Sequence, residues 1–276
     1  MGQLACPVDK LERIVIAADD CEFCEGAIRE GINLALACHS RVTAVGVTEV
    51  NPEYASLAPK AVEDLQVGTK AFLESVRMRA FKAGVACEAV AREGEEAADY
   101  IVEEARERQA GMIVMGRRGR KGLKRLLMGS VTARVIGNAP CSVLVVPRAS
   151  KLDNIRTILI ATDGSGPGRA AAEEAVSIAV KNGSRIVAVS VESGDVRAGE
   201  SAAEAASLAE KGGVQAEPVV LSGRPYEAIV AAAKERDADL IVVGRHGRTG
   251  LRKLLMGSVA ERVVGLAHCP TLVVKA

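Results

Sequence analysis

The chain repeats itself. Residues 112–147 read MIVMGRRGRKGLKRLLMGSVTARVIGNAPCSVLVVP, and residues 240–275 read LIVVGRHGRTGLRKLLMGSVAERVVGLAHCPTLVVK; they align without a gap and agree at 22 of 36 positions. The beginnings match as well, with Ile14-Val15-Ile16-Ala17-Ala18-Asp19 pairing with Ile158-Leu159-Ile160-Ala161-Thr162-Asp163. Whatever the fold, it must be satisfied twice by one chain. The starts are 144 residues apart and the glycine motifs 128 apart, so the first copy carries about sixteen extra residues, mostly between Glu49 and Thr69. A polar stretch at about 149–154 reads as the linker between domains at 1–148 and 155–276, each long enough to enclose a core.

Within each copy, short apolar runs alternate with longer amphipathic ones. In the second copy the strands are expected at Thr157–Thr162, Arg185–Val191, Val214–Leu221, Leu240–Val243 and Thr271–Val274. Helices are expected at Gly168–Lys181, Ala198–Lys211, Pro225–Arg236 and Ser258–Gly265, and the first copy follows the same order. Strand–helix alternation implies a parallel sheet covered on both faces. Strands covered on both faces need no polar alternation. Ligands of such sheets sit beyond the carboxyl ends of the strands, so the residues after Ile16 and Val243 draw attention.

Those residues form one pattern in both copies: Gly-x2-Gly-x9-Gly-Ser, at Gly116, Gly119, Gly129 and Ser130, and at Gly244, Gly247, Gly257 and Ser258. The first two glycines suggest a sharp turn and close approach to a ligand. The last Gly-Ser opens a helix, whose free amides and dipole favour an anion, and the Ser hydroxyl is a candidate helix cap. The intervening loops carry Arg117, Arg118, Arg120, Lys121, Lys124 and Arg125 in one copy, and Arg245, His246, Arg248, Arg252 and Lys253 in the other, with no acid in either. In a chain of net charge +1, that concentration favours a phosphate ligand.

On these residues the chain resembles a tandem universal stress protein, of the adenine-nucleotide-binding α/β superfamily. The resemblance covers nearly the whole chain, twice. It implies an α/β fold of two tandem Rossmann-like domains, each a five-stranded parallel sheet flanked by helices. ATP, with Mg2+ as companion, would lie across the strand ends. Asp19 and Asp163 would contact the adenosine end. Val47 and Val191 would line the adenine pocket, joined by Met115 and Val243. The glycine loops and Ser130 or Ser258 would hold ribose and phosphates. Val131 and Val259 match a position giving a backbone amide, and Thr132 a hydroxyl position occupied by Ala260 in the second copy. The first copy departs from the family's Asp-Gly-Ser, present as Asp163-Gly164-Ser165, and has Asp19-Asp20-Cys21, whose second carboxylate would repel phosphate.

The resemblance points to a nucleotide-dependent regulator or sensor in stress response rather than an enzyme, since no general base or nucleophile is evident. Slow ATP hydrolysis or autophosphorylation stays within reach of positioning alone. The last strands, Val143–Pro147 and Leu272–Lys275, are expected to be sheet edges. In the family that edge mediates dimers, so the halves resemble a covalent dimer, and a homo-oligomer of tandem chains with further protein partners is expected. The segment Glu49–Thr69, with Pro52 and Pro59, is a candidate lid or interface, or else a surface loop.

Other chemistries are weaker. No Gly-Lys dipeptide exists for a Walker A loop, and the glycines around Gly164 miss the dinucleotide spacing. Trp is absent, with only three Tyr and three Phe, which leaves no stacking platform for nucleic acid. No apolar run suits a membrane span. Leu4-Ala5-Cys6 lacks the apolar region of a lipoprotein signal. Seven scattered cysteines do not suggest a disulfide framework, so a reducing, cytoplasmic setting is expected. Cys141 and Cys269 look like one packing position used twice. Cys21-Glu22-Phe23-Cys24, at a helix start, is a candidate redox dithiol. The two rival readings are therefore a thiol redox sensor using Cys21 and Cys24, and a nucleotide-free scaffold working through protein contacts.

Overall fold

The computed structural model describes residues 6, 8, 11–119, 128–152, 154–192, 197–247 and 256–276. In chain order the first half contains β1 (Arg13–Ala17), α1 (Glu25–Cys38), β2 (Arg41–Glu49), α2 (Pro52–Leu57), α3 (Pro59–Lys82), β3 (Cys87–Gly94), α4 (Ala97–Glu107), β4 (Met112–Gly116), α5 (Ser130–Asn138) and β5 (Ser142–Val146). The second contains β6 (Thr157–Ala161), α6 (Gly166–Asn182), β7 (Arg185–Val191), α7 (Ala198–Lys211), β8 (Ala216–Leu221), α8 (Pro225–Glu235), β9 (Leu240–Gly244), α9 (Ser258–Leu266) and β10 (Thr271–Val274).

Side chains alternate across a strand, and here both faces are dry. Ile14, Ile16, Ile158 and Ile160 enter one core layer, under α1, α3, α6 and α7. Val15, Ala17 and Leu159 enter the other, under α4, α5, α8 and α9. That is why the central strands read as unbroken apolar runs. α6 meets the sheet through Ala171, Ala172, Ala175, Ile178 and Ala179, a spacing that puts small residues on one helical face. Its start is fixed by Ser165, whose Oγ accepts from the Gly168 amide at 3.2 Å, with proline in the first turn.

The strand order is β3-β2-β1-β4-β5-β10-β9-β6-β7-β8, one ten-stranded sheet. Each half is parallel within itself. The join between them is antiparallel, with Thr271 opposite Val145, Leu272 opposite Leu144 and Val273 opposite Val143. β5 and β10, expected as the edge strands of their halves, pair with each other, in keeping with halves that resemble a covalent dimer. Each covers the other's backbone groups, and the outer strands are β3 and β8, where Pro218 is tolerated. Both core layers run across this seam. The connecting segment lies on α1: buried Glu30 accepts from the Leu152 amide at 3.1 Å and from Arg29 Nε at 2.7 Å.

Two further expectations change. Residues 49–69 form no loop; they make α2 and the first half of α3, with Val62 buried. Cys6 and Cys38 are joined by a disulfide, so one pair departs from the all-thiol reading. No helix among the described residues is long and apolar enough to cross a membrane.

Candidate functional site

In each half the central strands β1 and β4, or β6 and β9, lie side by side while the chain leaves them in opposite directions along the sheet. That switch point leaves a crevice beyond their carboxyl ends. In the first half it is a cavity of about 520 Å³. All nine of that half's sequence-derived candidates line it: Asp19 after β1, Val47 in β2, Met115 and Gly116 ending β4, then Gly119, Gly129, Ser130, Val131 and Thr132. In the second half the candidates occupy the matching register. Ala161 pairs with Val243 as Ala17 pairs with Met115, Val191 ends β7, and Gly257, Ser258 and Val259 open α9.

The glycines have packing reasons rather than turning ones. None of the six has a positive φ. A Cβ on Gly116 would stand 2.5 Å from the Phe23 carbonyl oxygen, and one on Gly244 would stand 2.7 Å from that of Pro167. The first glycine thus lets the entry of α1 or α6 lie directly on the strand end. The second faces the aspartate: a Cβ on Gly247 would be 2.5 Å from Asp163 Oδ2, and on Gly119 3.3 Å from Asp19 Oδ2.

The third glycine is the helix cap. Gly129 has extended φ/ψ of −74° and 149°, and Gly257 −69° and 139°. Their own amides donate to the carbonyls of Arg117 and Arg245 at 3.0 Å. Ser130 and Ser258 are therefore the first helical residues and not caps, which corrects the capping expectation. The first intrahelical bond of α5 is Ala133 to Gly129, so the amides of Ser130, Val131 and Thr132 precede the ladder and face outward at the positive end of the dipole.

Thr132 has a structural tie of its own. It is buried, and its hydroxyl donates toward the Gly116 and Arg117 carbonyls at 3.1 and 3.3 Å. Its proton fastens the helix start to the strand end, a tie that Ala260 in the second half lacks.

The cationic loop divides. Arg120, Lys121, Lys124, Arg125, Arg248, Arg252 and Lys253 lie outside the described residues. Arg117 leaves the cavity for the other half, where it donates to the Gly265 and Ala267 carbonyls at 2.9 and 3.1 Å. Arg245 does the reverse, reaching Gly137 at 3.2 Å and Ala139 at 2.9 Å. Each cation closes the C-terminal end of the partner half's last helix, the end a positive charge favours. Burial lowers the pKa of both guanidiniums. Arg118 stays in the cavity wall, over the Phe23 ring, and its Nε is buried without a partner among the described residues. Burial, with Arg245 nearby, lowers the pKa of His246.

Sequence reasoning missed the apolar wall opposite the glycines. Leu65 of α3, and Ala97 and Ile101 of α4, close the cavity. The Ala97–Ile101 spacing marks a buried helix face, but nothing in a single sequence says which cavity that face borders. Asp20 lines a smaller neighbouring cavity with Asp64, Leu65 and Phe72, and does not line the main one. Cys141 and Cys269 behave as packing residues, with burial pushing their thiols up to about 11 and about 12. Among the described residues no group of three or more His, Cys, Asp or Glu is arranged to hold a metal ion.

Repeated β/α halves, each with a glycine-capped helix at its switch point and the first with a cavity beside it, define the class as a doubled Rossmann-like fold. The sequence model of the Universal stress protein family matches residues 10–147 and again 154–275. The chain belongs to the universal stress protein family. A universal stress protein of Methanocaldococcus jannaschii is 37% identical over 139 residues, covering 44% of this chain and 82% of that protein. One from Mycobacterium tuberculosis is 32% identical over 187 residues, which span 60% of this chain and 62% of that relative. The crystal structure of a universal stress protein from Archaeoglobus fulgidus superposes with a TM-score of 0.78 over 96% of this chain and 99% of its own, at 20% identity, a likeness of fold.

Proposed function

We propose that the first-half cavity binds an adenine nucleotide, ATP, and that occupancy makes this protein a nucleotide-dependent regulator in stress response. The observation that carries the reading is convergence. Segments ending β1, β2 and β4 and starting α5 meet around one cavity, polar at one wall and apolar at the other. Its size falls in the range of small-molecule sites. The Ser130–Thr132 amides and the unpartnered Nε of Arg118 suit phosphate oxygens. Val47, Met115, Leu65 and Ile101 suit a flat apolar ring. Asp19, on the far side of Gly119, suits ribose hydroxyls. Magnesium would arrive with the phosphates, since the described residues supply no ligand cage of their own. The second half, with equivalent glycines and Ser258, is the second nucleotide site, weakened by Glu261 in the first turn of α9, where Ala133 stands in α5.

The test is to purify the chain, denature it and quantify released adenine nucleotide per chain, before and after soaking with ATP and magnesium. Two equivalents support both sites and one supports the first alone; none after soaking sinks the reading. Ser130→Pro sharpens it. Gly129 is already extended, as a residue before proline must be, and proline is accepted at the first helical position. The variant should fold normally, lose one amide and one hydroxyl, and bind ATP about tenfold or more weakly.

A further inference from the structure

Cys21 and Cys24 have no counterparts in the second half, where Ser165 and Gly168 stand at the same offset from the aspartate. Ser165 caps its helix. The two thiols instead meet each other, with their sulfurs hydrogen-bonded at 3.1 Å and both reduced. Cys21 is half-buried in the turn before α1; Cys24 is buried and forms part of the cavity wall. The Cys24 thiol beside it pulls the Cys21 thiol below its ordinary value, while hydrogen bonding to Cys21 and burial push Cys24 up. Cys21 is thus the sulfur that ionises, and Cys24 the one that resolves.

Through Cys24 the pair adjoins the cavity. Besides the Phe23 carbonyl, Cys24 Cα lies 3.3 Å from where a Gly116 Cβ would be. Cys24 Sγ lies 3.9 Å from the Arg118 carbonyl oxygen, and the Arg118 guanidinium sits 5.9 Å from the Phe23 ring centre. A disulfide draws two sulfurs to about 2.0 Å, so closing this one moves a segment with no free space between it and Gly116.

We propose that Cys21 and Cys24 form a reversible dithiol–disulfide switch, oxidised by hydroperoxides, that reshapes the first-half cavity and leaves the second half unchanged. The Cys21 thiolate attacks a peroxide oxygen; the S–O bond forms, the O–O bond breaks, and the leaving oxygen departs as water or alcohol after taking a proton. Cys24 then attacks the Cys21 sulfenic acid, the S–S bond forms, and the hydroxyl leaves as water with the Cys24 proton. Two electrons pass from the sulfurs to the peroxide, and a dithiol restores the starting state by exchange. Only the consequence for ATP rests on the nucleotide reading above.

The test treats the full chain with hydrogen peroxide, maps its disulfides by mass spectrometry, and measures amide hydrogen exchange without nucleotide. The expected result is a Cys21–Cys24 disulfide reversed by dithiothreitol, with exchange altered at 116–118 and unaltered at 244–246. ATP affinity should change at least about fivefold on oxidation. Cys21→Ser should abolish every response while binding ATP as the reduced protein does. Absence of the disulfide, or its formation with unchanged exchange at 116–118, overturns the proposal. If ATP binds neither form while exchange at 116–118 still shifts, the nucleotide reading fails and the switch stands.

Discussion

Gly116 and Gly68 are both glycine for different reasons, and substitution separates them. Gly116 carries the Phe23 carbonyl on its backbone, so Gly116→Ala forces main chain apart and should cost about 1–3 kcal/mol in urea unfolding. Gly68 lies within α3 with nothing within 4 Å of its missing Cβ, so Gly68→Ala should stabilise by about 0.5–1 kcal/mol. Thiol reactivity divides as sharply. Cys21 is lowered by its neighbour, whereas Cys87, Cys141 and Cys269 are raised by burial. A lowered pKa means more thiolate at a given pH. Iodoacetamide near pH 7.5 (a pH chosen about a unit below an ordinary thiol) should therefore mark Cys21 first, as read by peptide mapping. Preferential marking of Cys87 would contradict that ordering. The spacing of the glycines was legible in the sequence, but their purpose was not. A close contact between residues 116 and 23 leaves no trace in either residue's neighbours along the chain.

At the level of elements, the second-copy strands and helices fall within about two residues of where periodicity puts them; Arg185–Val191, Ala198–Lys211 and Thr271–Val274 coincide. Burial explains the agreement, since each strand is covered on both faces and each helix on one. In sequence the segment 49–69 reads as a lid, an interface or a surface loop, and its helices are not foreseen. Pro52 and Pro59 in fact sit at the first turns of α2 and α3, the one helical place where proline fits. α3 then carries Leu65 over the cavity, while Thr69 Oγ1 accepts from Thr48 Oγ1 at 3.0 Å and holds that helix to β2. Leu65→Ala should weaken ATP binding severalfold by removing apolar contact, about 1–3 kcal/mol at most, with the change read by calorimetry.

Across the whole molecule, the two halves are locked by three devices: the β5–β10 ladder, two core layers that cross it, and the reciprocal Arg117 and Arg245 contacts. Each arginine follows the first glycine of its own loop and ends on the last helix of the other half. Arg245→Met removes two charged hydrogen bonds to helix-end carbonyls and should lower stability by about 1–3 kcal/mol in urea unfolding. Unfolding should remain a single transition, because both core layers run across the seam; two separate transitions would contradict the shared core.

Local pattern by itself determined the doubled unit, the order of its elements and the residues gathered at the strand ends, because burial periodicity and glycine spacing are properties of neighbours in sequence. Tertiary structure alone decided the antiparallel register in which the last strands pair, that Arg117 and Arg245 turn from the cavity to the opposite half, that Thr132 ties the helix start to its strand, and that Cys24 lines the cavity. Those outcomes depend on which distant groups come within hydrogen-bonding or van der Waals distance. That distance is set by packing the whole sheet, not by any stretch of the chain.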